Sequence, residues 1–344
     1  MSGPRIAAVL TVRDEGARLV DWLAHARAAG VTDVLAFSND CGDGTDRMLE
    51  ALAPAGVVHV PNPGPHGNKG PQFAALKAAA RHPLVRAAEW VLPMDVDEFP
   101  VVRVGGGRLP DLIGALPEAG GIALGWKIFG SGGAKALTEG PVPDLFVRAA
   151  PRIAAWPWKA AMFKGLVRRD GTWNRLGVHR PRGGRGGMVW FDTSGRRMPD
   201  GWDRLFLPFG RDNHRLAQLN HYPLGSAADY VLKAARGRAA HPGDALGMDY
   251  WAERDFDAEE DRSAEALGPA RREEAARLMA LPGVAALHEA ALDWRRRRLR
   301  ALLEEERFRA LMGRLLMARP IRALRPEEAA PLLAAARRAV DAGR

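Results

Sequence analysis

The sequence predicts an α/β protein: a mixed sheet with helices on both faces, followed by a helical C-terminal region. Three observations predict it. Residues 5–99 alternate short β-branched apolar runs with amphipathic helical stretches over short connections, the pattern of parallel strands covered on both faces. Residues 122–221 carry short strand-like pieces between Gly- and Pro-rich loops, as mixed or antiparallel sheet does. From about residue 227 onward the apolar spacing is helical.

In chain order, Arg5 to Val12 reads as a buried strand, and the polar turn Arg13-Asp14-Glu15-Gly16 follows it. A helix over about Ala17 to Ala29 places Leu19, Trp22, Leu23 and Ala26 on one face and stops at Gly30. Val31 to Ser38 is a second strand, Asn39 to Asp46 a loop, and Arg47 to Ala53 a helix. Val57 to Val60 is a third strand; the Pro/Gly-rich loop Pro61 to Pro71 leads to a helix over Gln72 to Arg81. The fourth strand is the apolar run into Asp95-Val96-Asp97-Glu98-Phe99. Beyond it, strands are expected at Ile122 to Phe129, Leu145 to Arg148, Phe163 to Arg168, Gly187 to Phe191 and Gln218 to His221. Helices are expected at Asp229 to Ala235, Ser263 to Met279, Ala285 to Leu315 and Pro326 to Val340.

With 344 residues and 47% hydrophobic content, the chain can bury a large core and is neither disordered nor fibrous. No stretch approaches the ~20 apolar residues of a membrane span, and no signal segment is read at the N-terminus, so a cytoplasmic protein is expected. A single cysteine, Cys41, excludes an intramolecular disulfide and fits a reducing compartment. The net charge of +9 suits an anionic partner, although a GC-rich coding bias toward Arg, Ala, Gly and Pro accounts for it equally well. The basic clusters carry few aromatics and no zinc-ligand spacing, which argues against nucleic acid.

The chemistry is concentrated at Asp95, Asp97 and Glu98. On an extended strand Asp95 and Asp97 share a face, and two like charges that close repel unless a cation lies between them. Carboxylates without a nearby Cys favour a hard ion, Mn2+ or Mg2+, which draws further ligands from a substrate phosphate. The alternative is an acidic strand-to-loop corner without a ligand. Three more loops converge on the same sheet edge, where open α/β sheets bind ligands. The loop with Thr11, Arg13 and Glu15 offers backbone amides and an acid to a ribose or base; Asn39, Asp40 and Asp43 suit ribose hydroxyls or base N–H groups. Lys69, in Asn68-Lys69-Gly70-Pro71-Gln72, brings a cation to a helix start, where a phosphate fits. Taken singly, such Asp-Gly and Asn-Asp pairs are also ordinary turn residues.

The order RDEG, SNDCGDGTD, NKGPQ and DVDEF resembles the GT-A (nucleotide-diphospho-sugar transferase, Rossmann-like) glycosyltransferases, in the branch related to family 2 and glycosyltransferase family 92. The similarity continues through Trp126 to Ser131, Lys164, Gly177-Val178-His179, Leu219-Asn220-His221-Tyr222, Ser226 and Lys233-Ala234-Ala235-Arg236-Gly237. It implies a GT-A domain over residues 1–240, with 241–344 as a helical extension. It also implies metal-dependent transfer of a sugar from a nucleoside-diphosphate sugar, a UDP-sugar favoured, to a hydroxyl of a glycan, lipid-linked or protein acceptor, with inversion, in cell-surface glycan synthesis. Asp95-Val96-Asp97 matches the family's DxD motif, which makes Asp97 the principal metal ligand and Asp95 its sugar- or ribose-contacting partner. His221 matches a position that often completes the metal shell. Trp126 and His179 are expected at the substrate.

A hydroxyl acceptor needs a carboxylate base. No copy of the family's usual downstream Glu-Asp pair is evident, which leaves Glu98, Glu139, Asp144 and Asp203 as candidates. Trp126, Trp156, Trp158, Trp173 and Trp202 offer a sugar-stacking platform or simply core. The segment Trp294 to Arg300 reads as a basic helix, either resting on anionic lipid at the inner face of a membrane or solvated and paired with Glu304 and Glu305. Two other classes stay open: a sugar-phosphate nucleotidyltransferase, against which the single Gly after strand one argues, and a non-catalytic protein binding polyanions or membrane through its tail.

Overall fold

In the computed structural model, which describes residues 3–66, 70–156, 158–237 and 246–341, the apolar runs of the first hundred residues become strands of one large sheet. The first part of the chain forms β1 (Ile6–Val12), α1 (Gly16–Ala28), β2 (Asp33–Ser38), α2 (Thr45–Ala51), β3 (Val57–Pro61), α3 (Gly70–Ala79), α4 (Pro83–Ala87), β4 (Trp90–Met94), β5 (Glu98–Val102) and α5 (Leu109–Ala115). The middle adds β6 (Gly121–Ile128), α6 (Val142–Leu145), β7 (Arg148–Ala149), β8 (Phe163–Arg168), β9 (Trp190–Asp192) and β10 (Ala217–His221). The remainder is α7 (Ala227–Arg236), α8 (Met248–Ala252), β11 (Glu259–Glu260), α9 (Gly268–Met279), α10 (Val284–Glu304), α11 (Glu306–Met317) and α12 (Pro326–Asp341).

The sheet runs β3-β2-β1-β4-β8-β6-β10-β5, with β9 also on β6; β7 and β11 make a separate ribbon. β3, β2, β1 and β4 are mutually parallel, while β8 runs antiparallel to both β4 and β6. The sheet is therefore mixed, as expected. Val12 lies opposite Ser38, and Leu10 opposite Met94. That register makes the loops after β1, β2 and β4 leave the sheet at one edge.

Helices cover both faces. On one, Trp22 and Leu23 of α1, Leu112 of α5, Leu278 of α9 and Val284 of α10 share a single apolar cluster with β1 and β4. On the other, Ala75, Leu76 and Ala79 of α3 pack with Val85, Trp173 and Trp190. Tyr230 and Val231 of α7 meet Leu302, Phe308 and Leu311 of the C-terminal helices in a third cluster. Among the described residues no helix is long and apolar enough to cross a membrane.

Four expectations change. The fourth strand ends at Met94, and Asp95-Val96-Asp97 forms a turn, closed by Glu98 N donating to Asp95 O (3.0 Å), before β5 begins. Asp95 and Asp97 thus do not alternate along one strand: Asp95 and Glu98 turn toward Lys164, and Asp97 toward Lys233. The helix expected over Ala285 to Leu315 breaks at Glu305, which takes extended backbone (ψ 128°). Acids at 304–306 oppose the dipole at the end of one helix and suit the start of the next. Leu145 closes the short helix α6 instead of opening a strand, and Ser263 to Leu267 is a 3-10 turn ahead of α9.

Candidate active site

The three loops at the sheet edge, together with α7 and α10, enclose an open cleft of about 360 Å3. Arg13, Asp14 and Glu15 line it from β1, Asp40 and Gly42 from β2, and Asp97 from β4. Asp14 (φ 52°) and Asp40 (φ 46°) are the non-glycine residues with left-handed backbone among the described residues, and both border this cleft. Backbone strain of this kind gathers at functional sites.

Asp97 is the electrostatic centre. Lys233 Nζ lies 2.7 Å from its Oδ2 and also donates to Pro223 O at 2.7 Å. His221 Nε2 stands 3.7 Å from Oδ1. Burial alone would raise the Asp97 pKa, but the charge of Lys233 and its hydrogen bond hold it well below the usual carboxylate range. Burial pushes His221 down to about 3, so its imidazole is neutral. Its Nδ1 is buried with no partner among the described residues. One turn along α7 from Lys233, Arg236 pairs with Glu15 and donates to Arg13 O at 2.9 Å.

Asp95 turns the other way. Its Oδ2 accepts from Lys164 Nζ (2.8 Å) and its Oδ1 from Gln72 Nε2 (3.1 Å). Glu98 beneath it is sealed from solvent, accepting from Asp95 N (2.9 Å) and Trp126 Nε1 (2.8 Å), with Lys164 at 3.5 Å. Burial pushes Glu98 up to about 8 against the lowering charge of Lys164. Lys164 sits in the middle of β8, and the charges of Asp95 and Glu98 outweigh its burial and raise its pKa. Trp126 lies against His221 (ring centroids 4.3 Å) and His179 (5.5 Å); His179 Nδ1 donates to Phe163 O (2.7 Å), and burial lowers it to about 4.

The expected metal ligands therefore divide. Among the described residues, no three His, Cys, Asp or Glu side chains converge as a metal site. Both Asp95 oxygens are engaged by Lys164 and Gln72, which leaves Asp97 Oδ1 and His221 Nε2 as the uncommitted donors. Two protein donors suit a Mn2+ or Mg2+ ion that completes its shell with phosphate and water, and do not suit an all-protein cage.

Other expected residues have local duties. Asp43 is buried and accepts from Gly16 N (2.8 Å) and Thr45 N (2.9 Å), tying the β2 loop to the start of α1. Asn39 is buried between Val12 O and Asn62. Thr11 is half-buried, and Asp40 is exposed at the cleft. Glu139 pairs with Arg296 and Asp144 with Arg271; neither lines the cleft. Asp203 is exposed, and its charge acts on Arg180. Lys69 and Asn68 lie outside the described residues. Trp173 is core, and Trp202 stacks on Phe163 (5.2 Å) and packs against Trp190.

Several site residues had no role from the sequence. Lys164, a cation inside the apolar run Phe163 to Val167, was legible as an inward charge needing an acid. Lys233 and Arg236, three apart on α7, were legible as one face. Asp229, which gathers Arg18, Arg295 and Thr138, was legible only as the N3 acid of the Ser226-x-x-Asp229 capping box of α7.

No family model matches the chain, and no curated protein does. Among solved structures it is similar to a mannosyltransferase of Pyrobaculum calidifontis in complex with GDP-Man and Mn2+, at 16% identity and a TM-score of 0.34, over 91% of this chain and 85% of that one. It is also similar to the Mycobacterium tuberculosis H37Rv protein Rv0371c, at 16% identity and a TM-score of 0.21, over 37% of this chain and 68% of that one. Likeness this loose leaves the chemistry of the site to its own residues.

Proposed function

We propose that this chain is a glycosyltransferase acting in the cytoplasm, moving a sugar from a nucleoside-diphosphate sugar, a UDP-sugar favoured, to an acceptor hydroxyl with inversion, in the synthesis of cell-surface glycans or glycoconjugates. The observation that carries the reading is Asp97 facing a cleft at the carboxyl edge of the parallel strands, with Lys233 on it and Arg236 one turn away. Clefts at that edge are where open α/β sheets take nucleotides.

The reaction makes one bond and breaks one. The acceptor oxygen attacks the anomeric carbon; the bond from that carbon to the β-phosphate oxygen breaks, and the electron pair leaves on the diphosphate. Lys233 and Arg236 would meet that charge as it develops, and fixed cations act most strongly in such a partly buried site. A Mn2+ or Mg2+ ion would be held by Asp97 and His221 with phosphate oxygens, and when bound would neutralise the same charge. The acceptor proton goes to a carboxylate. Of the four expected bases, Glu98 is sealed beneath the turn, Glu139 and Asp144 are paired with arginines, and Asp203 is exposed; none of the four lines the cleft.

Calorimetric titration with a panel of nucleoside diphosphates, with and without Mn2+, tests the reading. One of them is expected to bind, and Asp97→Asn, checked for an unchanged melting temperature, is expected to weaken that binding by about tenfold or more, as loss of a buried charge contact does. If no member of the panel binds under either condition, the proposal is wrong.

A further inference from the structure

Helix α10 reaches the cleft at Trp294 and Arg298, four residues and so about one turn apart. It is held there closely. Ala291 and Leu292 pack on Ala17, Arg295 pairs with Asp229 and donates to Thr138 O (3.2 Å), and Arg296 pairs with Glu139. Gly16 permits the approach, because a Cβ there would lie 2.9 Å from that of Ala291.

The half-buried Trp294 ring borders the loop after β2: a Cβ on Gly42 would lie 3.6 Å from it, and Gly42 N donates to Asp14 Oδ1 at 2.7 Å. The two strained carboxylates, Asp14 and Asp40, line the same cleft. Most of its cations are already paired. Lys233 is matched by Asp97, Arg236 by Glu15, and Arg18 and Arg295 share Asp229. Arg298 is exposed and makes no ion pair among the described residues; Arg13 is half-exposed, 3.8 Å from Asp14. Positive charge free to meet a ligand thus sits on Arg298, with Arg13 held only loosely by its neighbouring acid. An indole ring that lines one cleft of about 360 Å3 with these two guanidinium groups matches an aromatic base carrying phosphates.

We propose that α10 completes the donor site: Trp294 stacks on the base of the nucleoside diphosphate, and Arg298 with Arg13 pairs with its phosphates. This rests on the glycosyl-transfer reading and adds that the C-terminal region recognises the donor jointly with the sheet.

The full chain is titrated with the best-binding nucleoside diphosphate of the panel, following heat and tryptophan fluorescence. Trp294→Ala and Arg298→Glu are each expected to weaken binding by about tenfold, the scale of a lost base–aromatic stack or phosphate contact. Trp294→Phe retains most of the affinity but loses the fluorescence change. Arg297→Glu, which reverses an exposed neighbouring charge on the same helix, leaves affinity unchanged. Where a variant fails to fold, Trp294→Phe and Arg298→Gln carry the fluorescence and affinity readouts in its place. Wild-type affinity in both Trp294→Ala and Arg298→Glu overturns this inference and leaves the glycosyl-transfer reading standing. So does an equal loss in Arg297→Glu, which marks a general charge effect. A wild-type chain that binds no nucleoside diphosphate overturns both.

Discussion

The sheet that floors the cleft and the helix that walls it are held by different forces. Six of the seven residues of β1 and all five of β4 are buried, and their side chains pack on Trp22, Leu23 and Leu112. Burial of this kind is non-directional and accumulates at roughly 25 cal/mol per Å2 of apolar surface. Helix α10 is 21 residues long but buries only Val284, Ala291, Leu292, Arg295 and Leu302. Its position depends on directed pairs, Arg295 with Asp229 and Arg296 with Glu139, and on the close contact at Gly16. The floor can therefore tolerate changes at the rim, whereas the wall shifts when a single partner moves.

Acid should give the largest effect, and it acts on the floor. His25 and His214 lie buried and His179 half-buried against the sheet, each bonded to a backbone carbonyl, and burial pushes each down to about 4. Their folded pKa values lie below the unfolded value near 6.5, so the unfolded chain takes up protons first as pH falls. The stability they allow is intact above about pH 6.5 and is lost down to about pH 4, at up to ~1.4 kcal/mol per pH unit for each histidine. Urea unfolding followed across it should show a steeply falling midpoint; a flat midpoint would mean that these histidines are not held neutral.

A smaller effect is expected from Gly16→Ala, which acts on the wall. Replacing a helix glycine usually stabilises by up to ~1 kcal/mol. Here the added methyl would sit 2.9 Å from Ala291 Cβ and 3.2 Å from Asp43 Oδ2, and overpacking of that kind costs about 1–3 kcal/mol. A net loss of stability is predicted, with altered Trp294 fluorescence as α10 is displaced. A stability gain would show that α10 yields without cost.

The contrast also explains what the sequence disclosed. β1, β2 and β4 were legible because strands buried on both faces must be continuously apolar, and the acids after Met94 marked the sheet edge. Their geometry was not legible. Lys164 is 69 residues from Asp95, and Lys233 is 136 from Asp97, so no local pattern could reveal that each acid has its own lysine. The same holds for α10: its basic segment Trp294 to Arg300 read as lipid-facing or as a solvated face with i to i+4 pairing to Glu304 and Glu305, and this segment contains Arg295 and Arg296. They instead pair with Asp229, 66 residues away, and Glu139, 157 away. Helical periodicity reports which face is apolar; it does not report which distant acid receives an arginine.

Salt should give the smallest effect and the most selective one. The Arg296–Glu139 pair is part-exposed, with side chains 39% and 45% accessible, and Arg271–Asp144 is exposed on its acidic side. Pairs of this type contribute ~0–1 kcal/mol and are screened once the Debye length falls to about 3 Å near 1 M salt. Arg295–Asp229 is mostly buried and screened far less, so α10 should loosen at its exposed face without detaching. Hydrogen exchange at low and high salt is expected to show amides around Arg296 losing protection by a few fold while those of β1 and β4 stay unchanged. Equal loss in both regions would mean that salt weakens the whole fold, and the division between an apolar floor and an electrostatic wall would fall with it.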